Sequence, residues 1–359
     1  MRLLAASAVA GASLATAPAA MAQQGVAAPG ATAPGATALG ADSSGRLSGL
    51  APVLGKYCDI TQLGVFGDVT TILGDDGLYY RRGSGGWTKS PISLSGAHAL
   101  TRLPDGRWLI LDTEKHRLIQ VDDLAGAGMV VRTELAGIKL KRPHNVVVDP
   151  LTGYVYVIAG DRRLFRFKTL EGPAEAWTFK PAELGYARSV SWFDGHIHII
   201  HSSRGEVLRI DDFDRRRYTR FSSPRPRALR GATSLQVPES HIDFDAGSLA
   251  STGLVLNDVQ KSGGWYYGSN DFLVGWAMGQ DTRPARLIRW KTWSDFQNGE
   301  WQDLSGLIPQ SYDPLDPLVP YYITIRDGIL YTPIDVSLDE EHCGRDSIFH
   351  VDTASLPEE

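Results

Sequence analysis

Six residues spread along the chain have side chains that could bind an anion or transfer a proton. They occupy the same place in a repeated pattern of strands, and they are Asp68, His98, His144, Arg188, Asn257 and Tyr321. Histidine is the side chain whose proton affinity best suits acid–base catalysis near neutral pH. Arginine carries a permanent charge on a forked array of donors that fits a carboxylate or a phosphate. Tyrosine can donate a proton when a neighbouring cation lowers its pKa.

A base, an anion-binding cation and a proton donor are the groups that β-elimination next to a uronic acid requires. The same groups suit the opening of an ester or a lactone by a water molecule that a histidine activates. We predict that His98 and His144 transfer protons in one of these reactions. Arg188 would anchor the anionic substrate, and Tyr321 would assist as an acid. The alternative for these positions is a polar, water-filled channel that performs no chemistry.

A divalent metal ion is a second hypothesis for the same positions. The two histidines and Asp68 could hold zinc and leave its fourth coordination position open. Calcium needs more oxygen donors, which Asp68, Asn257 and Asp258 could supply. Neither pattern is specific, so the cofactor stays open between none, calcium and zinc.

Three further residues are predicted to contact the substrate alongside Arg188. Trp265 offers an aromatic face of the kind that stacks on sugar rings. His201 ends a strand at the position equivalent to Asp112 in another repeat. His241 lies in a long segment that could reach the same site.

The elements that would position these residues are short strands repeated along residues 57–355. The third strand of a unit is the easiest to recognise, because it alternates apolar and polar residues as a half-buried strand must. Its copies are residues 117–122, 163–168, 206–211, 286–291 and 347–352. A second strand follows a glycine in every unit, for example at residues 78–82, 108–112 and 196–201. The clearest repeats are 46 and 44 residues long, from 98 to 144 to 188, which is typical of propeller blades.

Six such units predict an all-β fold, a six-bladed β-propeller over residues 51–359. The last unit lacks room for a fourth strand, and a strand around residues 51–64 precedes the first unit. We therefore expect strands from the N- and C-termini to close the ring and remove its open edge. The innermost strands of a propeller line its central channel, where the six polar residues would meet. Long segments at 222–256, 271–285, 293–320 and 335–346 would form binding loops over that mouth.

The N-terminal region predicts export. Arg2 precedes an apolar stretch that ends in Ala20-Met21-Ala22, so residues 1–22 have the pattern of a secretory signal peptide. Residues 23–50 repeat Ala, Pro and Gly and predict a flexible linker. In the oxidising periplasm or outside the cell, Cys58 and Cys343 are expected to form a disulfide that joins the chain ends. Two separate buried thiols are the alternative.

Composition limits the partners of this 359-residue chain. Thirty-six Lys and Arg against 41 Asp and Glu give a net charge of −5, which argues against a nucleic-acid-binding surface. No apolar run reaches the roughly 18 residues that a membrane-spanning helix needs. We expect a monomer that binds a small molecule or an oligosaccharide, with an anionic ligand favoured by Arg188.

Two short motifs resemble known propellers. Residues 104–119, Pro-Asp-Gly-Arg-Trp-Leu-Ile-Leu-Asp-Thr-Glu-Lys-His-Arg-Leu-Ile, resemble the NHL repeat. Leu-Asn-Asp-Val at 256–259 and Gly-Trp-Tyr-Tyr-Gly-Ser-Asn-Asp at 264–271 resemble a blade of the paraoxonase and gluconolactonase group of six-bladed propellers. That resemblance implies that Asn257 binds calcium and that His144, after Pro143, is catalytic.

Three functional hypotheses therefore stand beside one another. The residue types predict an exported lyase or hydrolase with His-mediated acid–base chemistry, and they are similar to those that propeller-fold polysaccharide lyases use in their central groove. The paraoxonase resemblance implies a calcium-dependent lactonase or arylesterase. A non-catalytic periplasmic binding or scaffold propeller is the third hypothesis.

Overall fold

The regular structure of the described residues is almost entirely β-strand. A computed structural model describes residues 60–74, 77–224, 256–270, 287–308, 319–335 and 347–358. Six four-stranded sheets follow one another along these ranges, and one two-stranded hairpin accompanies them. No helix in these ranges is long and apolar enough to cross a bilayer. The predicted signal peptide and linker, Cys58, Cys343 and His241 lie outside the described residues, so their roles stay predictions.

The first three sheets occupy residues 60–178. Blade one contains β1 (Ile60–Phe66), β2 (Val69–Gly74), β3 (Gly77–Arg82) and β4 (Thr88–Lys89). Blade two contains β5 (Ala97–Arg102), β6 (Trp108–Asp112), β7 (Arg117–Val121) and β8 (Val130–Arg132). A hairpin of β9 (Glu134–Leu135) and β10 (Ile138–Lys139) follows. Blade three contains β11 (Pro143–Val148), β12 (Val155–Ala159), β13 (Arg163–Phe167) and β14 (Ala174–Thr178).

The last three sheets follow the same order. Blade four contains β15 (Ser189–Phe193), β16 (His196–His201), β17 (Glu206–Asp212) and β18 (Arg217–Ser222). Blade five contains β19 (Leu256–Ser262), β20 (Trp265–Asn270), β21 (Leu287–Trp290) and β22 (Gln302–Asp303), with helix α1 (Trp293–Asn298) before β22. Blade six contains β23 (Val319–Pro320), β24 (Thr324–Arg326), β25 (Ile329–Asp335) and β26 (Ser347–Asp352). Short 3-10 turns occupy Ser202–Arg204, Ser305–Leu307 and Thr353–Ser355.

The inner strands of successive blades contact one another around a ring. Each second strand is buried on both faces, as in β6 and β12, because blades pack against both sides of it. Side chains also bond across the blade boundaries: Thr61 Oγ1 to the Ala97 carbonyl at 2.9 Å, Thr113 Oγ1 to the Pro143 carbonyl at 2.7 Å, and Thr324 Oγ1 to the Leu63 carbonyl at 2.5 Å. The chain is a six-bladed β-propeller, as its repeats predicted.

The ring closes between blade one and blade six. Strand β1 pairs with β2 and is the innermost strand of blade one, so it does not complete the last blade by pairing as its position had suggested. In blade six, β23 and β24 both pair with β25, which pairs with β26. Ile60, Leu63, Tyr331 and Ile348 form one buried cluster at this junction. Strands from the two ends of the fold therefore meet through apolar packing.

A bulge near the start of the inner strand recurs in four blades. The register shifts at Thr61, His98, His144 and Asn257, and each of these residues is the extra one in its strand. A bulge re-aims a side chain that the regular pleat would direct elsewhere. This repeated irregularity places one polar residue from each of these blades at the same mouth of the channel.

Candidate active site

The mouth of the propeller is lined by one residue from each blade. These residues, which we call the mouth ring, are Thr61, His98, His144, Arg188, Asn257 and Tyr321. Five of them are the residues predicted from the sequence. Asp68 is not a member, because it is an exposed residue of the tight turn between β1 and β2. Thr61 occupies its place, and its hydroxyl bonds the carbonyls of Leu73 and Ala97.

His98 and His144 lie side by side on neighbouring blades. Their ring centroids are 5.0 Å apart and the planes are nearly perpendicular, at 80°. His98 is half-buried, whereas His144 is fully buried. The Nδ1 atom of His98 lies 2.8 Å from the Gly96 carbonyl and donates to it. Its Nε2 therefore carries the lone pair that can accept a proton.

Arg188 and Tyr321 complete the ring on the side of blades four to six. The Arg188 guanidinium lies 5.5 Å from the centroid of the Tyr321 ring, a cation–π geometry. Tyr321 also contacts His98, with 6.1 Å between ring centroids. Arg188 Nη1 donates to Asn257 Oδ1 at 2.8 Å. The bond to Asn257 fixes the position of this cation at the mouth.

Tyr322 forms the floor beneath the mouth ring. It belongs to blade six, yet its hydroxyl lies 2.9 Å from the Arg188 carbonyl and 3.2 Å from the His144 carbonyl. Blade three is opposite blade six in a six-membered ring, so the side chain spans the axis. The hydroxyl is buried, and burial raises its pKa well above the ordinary value of 10.0. It stays protonated and closes the lower side of the cavity that the mouth ring surrounds. We call this cavity the cup.

Two further residues, Tyr186 and Arg142, border the histidines and were not predicted from the sequence. The Tyr186 ring stands perpendicular to His144 with 5.1 Å between centroids, and the Arg188 guanidinium lies 5.6 Å from it. Arg142 precedes β11, where its charge lowers the pKa of both mouth histidines. Tyr186 could have been predicted as a site residue from its position two residues before Arg188, because residues close together in a loop tend to lie on the same surface.

Burial determines the protonation state of the histidine pair. It lowers the pKa of His98 to about 3, although the bond to Gly96 offsets part of the effect. It also holds the pKa of His144 well below the ordinary 6.5, with repulsion from His98 and Arg142 adding to the shift. Both imidazoles are consequently neutral at physiological pH, so both can accept a proton but neither is charged.

His201 acts beneath the site instead of contacting a substrate. It is fully buried, and its Nε2 accepts a 2.7 Å hydrogen bond from the Gly185 amide. Its Nδ1 then carries the proton and donates to Glu206 Oε2 at 3.0 Å. Both ring nitrogens are occupied, which contradicts the predicted substrate contact.

Blade two repeats this arrangement with a carboxylate. Asp112 ends β6 as His201 ends β16, and its Oδ1 accepts from the Ser95 amide at 2.7 Å. Ser95 precedes His98 by three residues, just as Gly185 precedes Arg188 by three. In both blades the last side chain of the second strand anchors the segment that enters the mouth ring.

Trp265 is far from the mouth. It pairs with Ser262 at the hairpin end of blade five, whereas the mouth end of that blade is Leu256 paired with Asn270. Five residues of extended strand separate Trp265 from Asn270, which is about 17 Å. Arg289 and Lys291 cover its ring at 4.1 and 4.7 Å. The predicted sugar-stacking role is therefore wrong for this residue.

The residues predicted to bind a metal do not form a ligand set. Asn257 uses Oδ1 for Arg188 and Nδ2 for the Pro320 carbonyl at 2.9 Å. Both carboxylate oxygens of Asp258 accept bonds from the protein; the donors are the Ser189 and Ser191 hydroxyls, the Gln260 amide, and the backbone amides of Val259 and Ile323. Among the described residues, no group of three or more His, Cys, Asp or Glu could hold an ion. Asp258 is instead a buried junction of blades four, five and six.

Comparisons with known proteins give similar solved structures but no match by sequence. No family model and no curated protein matches the sequence. Similar solved structures include an inactive virginiamycin B lyase from Staphylococcus aureus with quinupristin, at 13% identity and a TM-score of 0.49 over 76% of this chain and 77% of that one. A streptogramin B lyase has 11% identity and a TM-score of 0.49 over 85% and 84% of the two chains. YCF48 bound to a D1 peptide has 10% identity and a TM-score of 0.47 over 77% and 74%.

Two of these three structures are lyases. At 10 to 13% identity and TM-scores below 0.5, they say nothing about the reaction of this chain.

Proposed function

We propose that this chain is an exported enzyme that acts at the mouth ring on an anionic or lactone-bearing small molecule or oligosaccharide. His98 takes the proton, His144 supports it, Arg188 binds the anion, and Tyr321 assists as an acid. The observation that carries the proposal is the pair of neutral imidazoles beside one guanidinium in a single cup.

The favoured reaction is β-elimination next to a carboxylate or an ester carbonyl. Arg188 would hold the carboxylate oxygens and stabilise negative charge as it develops on them. The Nε2 of His98 would accept the proton from the adjacent carbon. A carbon–carbon double bond then forms as the bond to the β-oxygen breaks, and the departing oxygen takes a proton from the acid. Opening of an ester or lactone by water would use the same base and the same cation.

The low basicity of His98 fits an anionic substrate. A pKa of about 3 makes the empty site a poor base at neutral pH. A ligand carboxylate about 4 Å away would stabilise the imidazolium by about 4 kcal/mol at an effective dielectric constant of about 20. That energy corresponds to about three pKa units. The substrate's own charge would therefore raise the pKa of the base toward neutrality, and uncharged analogues would be turned over slowly.

The test compares substitutions that remove titration but keep the side-chain volume. His98→Gln and His144→Gln are assayed on uronate oligosaccharides, for an unsaturated product absorbing in the near ultraviolet, and on lactones and esters, for acid release. Loss of proton transfer should lower kcat by about 10²- to 10⁴-fold with little change in Tm. His196→Gln, at the hairpin end of β16, is the matched control. Turnover retained in both mouth variants would reject the reaction.

A second candidate function is a non-catalytic ligand-binding propeller. The observation in its favour is the depressed pKa of both mouth histidines, which disfavours base catalysis in the empty site. This candidate predicts ligand affinity that survives both glutamine substitutions, with no product formed. Binding measured together with product analysis separates the two candidates.

Export is part of the proposal and depends on residues 1–22. The mature protein should begin at Gln23 and should be recovered from the periplasm or the medium. Mass spectrometry of the intact protein measures this directly. A cytoplasmic protein that retains the first 22 residues would contradict it.

A further inference from the structure

Beside His144, blade three leaves a small space that a side chain would otherwise fill. A Cβ atom built on Gly160 would lie 3.5 Å from His144 Nε2 and 3.3 Å from the Arg142 Cβ. The backbone of Gly160 is outside the left-handed region, so its turn does not require glycine. Gly160 itself is half-buried, whereas the His144 Nε2 atom beside the space is buried. The missing side chain therefore leaves room about the size of a methyl group or an oxygen atom.

The Nε2 atom of His144 borders this space and has no hydrogen-bond partner among the described residues. The side chain is fully buried, and neither of its ring nitrogens has a hydrogen-bond partner among the described residues. A buried polar group without a partner is costly and is rare in native structures. The Gly160 amide is not that partner, because it donates to the carbonyls of Lys141 and Arg142 at 3.2 and 2.9 Å. A ligand atom is the natural partner for the imidazole.

Arg142 brings a second cation to the same place. Its backbone has a φ of 47°, a left-handed conformation that is strained for an arginine and clusters at functional sites. Two bonds to blade two hold it there: its amide donates to His116 Nδ1 at 3.2 Å, and its Nη2 donates to Glu114 Oε1 at 2.9 Å. The guanidinium is thus tethered beside the histidines, on the side of the mouth ring away from Asn257.

We propose that the space bounded by Gly160, Arg142 and His144 is a subsite for one oxygen of a ligand carboxylate. The Nε2–H tautomer of His144 donates to that oxygen, and the forked guanidinium of Arg142, whose Nη2 is bound by Glu114, provides positive charge beside it. The choice of a carboxylate rests on the proposed function, whereas the binding event requires no reaction. Together with Arg188, the subsite selects ligands whose anionic group lies between blades three and four.

Formate is the probe, because it is the smallest carboxylate. Its binding to the full mature chain is followed by NMR through the ¹⁵N resonances of His144 and by the change in the pKa of that imidazole. Gly160→Ala fills the space and should weaken formate binding by about tenfold or more, the scale of one lost charged hydrogen bond. Gly306→Ala is the matched control, because a Cβ at Gly306 meets nothing within 4 Å.

Arg142→Asn gives an independent reading if Gly160→Ala does not fold. Asparagine tolerates the left-handed backbone but carries no charge, so formate affinity should fall several-fold in a folded protein. Formate affinity that matches the wild type in folded Gly160→Ala, or in Arg142→Asn, would overturn the subsite. The subsite would also be overturned if formate shifted neither the ¹⁵N resonances of His144 nor the pKa of that imidazole in the wild-type chain.

The experiments distinguish failure of the subsite proposal from failure of the proposed reaction. Loss of turnover in His98→Gln together with normal formate binding in Gly160→Ala rejects the subsite alone. Retained turnover in both mouth-histidine variants, with formate binding lost in Gly160→Ala, rejects the reaction and supports the subsite.

Discussion

Arg188 and Asn257 join blades four and five through a 2.8 Å bond from guanidinium Nη1 to amide Oδ1. The same amide donates to the Pro320 carbonyl of blade six at 2.9 Å. One buried asparagine therefore orients the cation of the candidate site and links three blades. The bond holds the geometry of the guanidinium in advance of ligand binding.

Asn257→Ala should lower both stability and anion binding. It removes a buried acceptor from Arg188 and a buried donor from Pro320, so the free energy of unfolding should fall by about 2 to 3 kcal/mol. Urea denaturation measures this loss. Asn257→Asp is the informative comparison, since the carboxylate keeps the acceptor but neutralises the guanidinium. Formate affinity equal to that of the wild type in Asn257→Asp would contradict this role.

His201→Ala should loosen the segment that carries Tyr186 and Arg188. It leaves the Gly185 amide and the Glu206 carboxylate without their imidazole partner, at a cost of about 1 to 3 kcal/mol. Hydrogen exchange at the Gly185 amide should become faster. His201→Gln offers an oxygen acceptor and should restore part of the protection. Unchanged exchange at Gly185 in His201→Ala would show that the bond does not anchor the segment.

Tyr322→Phe should weaken the floor of the cup without creating a large cavity. The hydroxyl that bonds the carbonyls of Arg188 and His144 is lost, and we expect a decrease of about 1 to 2 kcal/mol in unfolding free energy. The ring remains, so apolar packing across the axis is kept. Thermal unfolding measures the change, and a variant as stable as the wild type would show that the axial hydroxyl contributes nothing.

Asp258 should make stability depend on pH. Burial raises its pKa from 3.8 to about 6 in the folded chain, so between these values the folded state binds more protons than the unfolded state. The free energy of unfolding should therefore fall as pH rises through that window, by up to about 3 kcal/mol from this group. Asp258→Asn lacks the titration, and denaturation of both proteins from about pH 4 to about pH 7 isolates it. Parallel pH profiles would contradict the shift.

The repeat pattern predicted most of the middle of each blade. Residues 108–112 and 196–201 were expected as second strands and are β6 and β16 with the same bounds. This succeeded because a buried second strand is a short apolar run after a glycine turn, and both signals are local. The prediction for blade one was wrong because the signals are local: residues 78–82 belong to the third strand, β3, and not to the second. Gly67 and Asp68 form a tight turn between two apolar strands, and a local pattern does not tell a first strand from a second.

The amino-acid sequence alone determined the class of fold, the number of blades and five members of the mouth ring, because strand periodicity and turn glycines are encoded within a few residues. Only the tertiary structure decided which neighbours these residues have. The contact of Tyr322 with His144 joins positions 178 residues apart, and the space at Gly160 exists only where two strand ends meet. Such contacts depend on how blades pack around an axis, and no single segment of the chain carries that information.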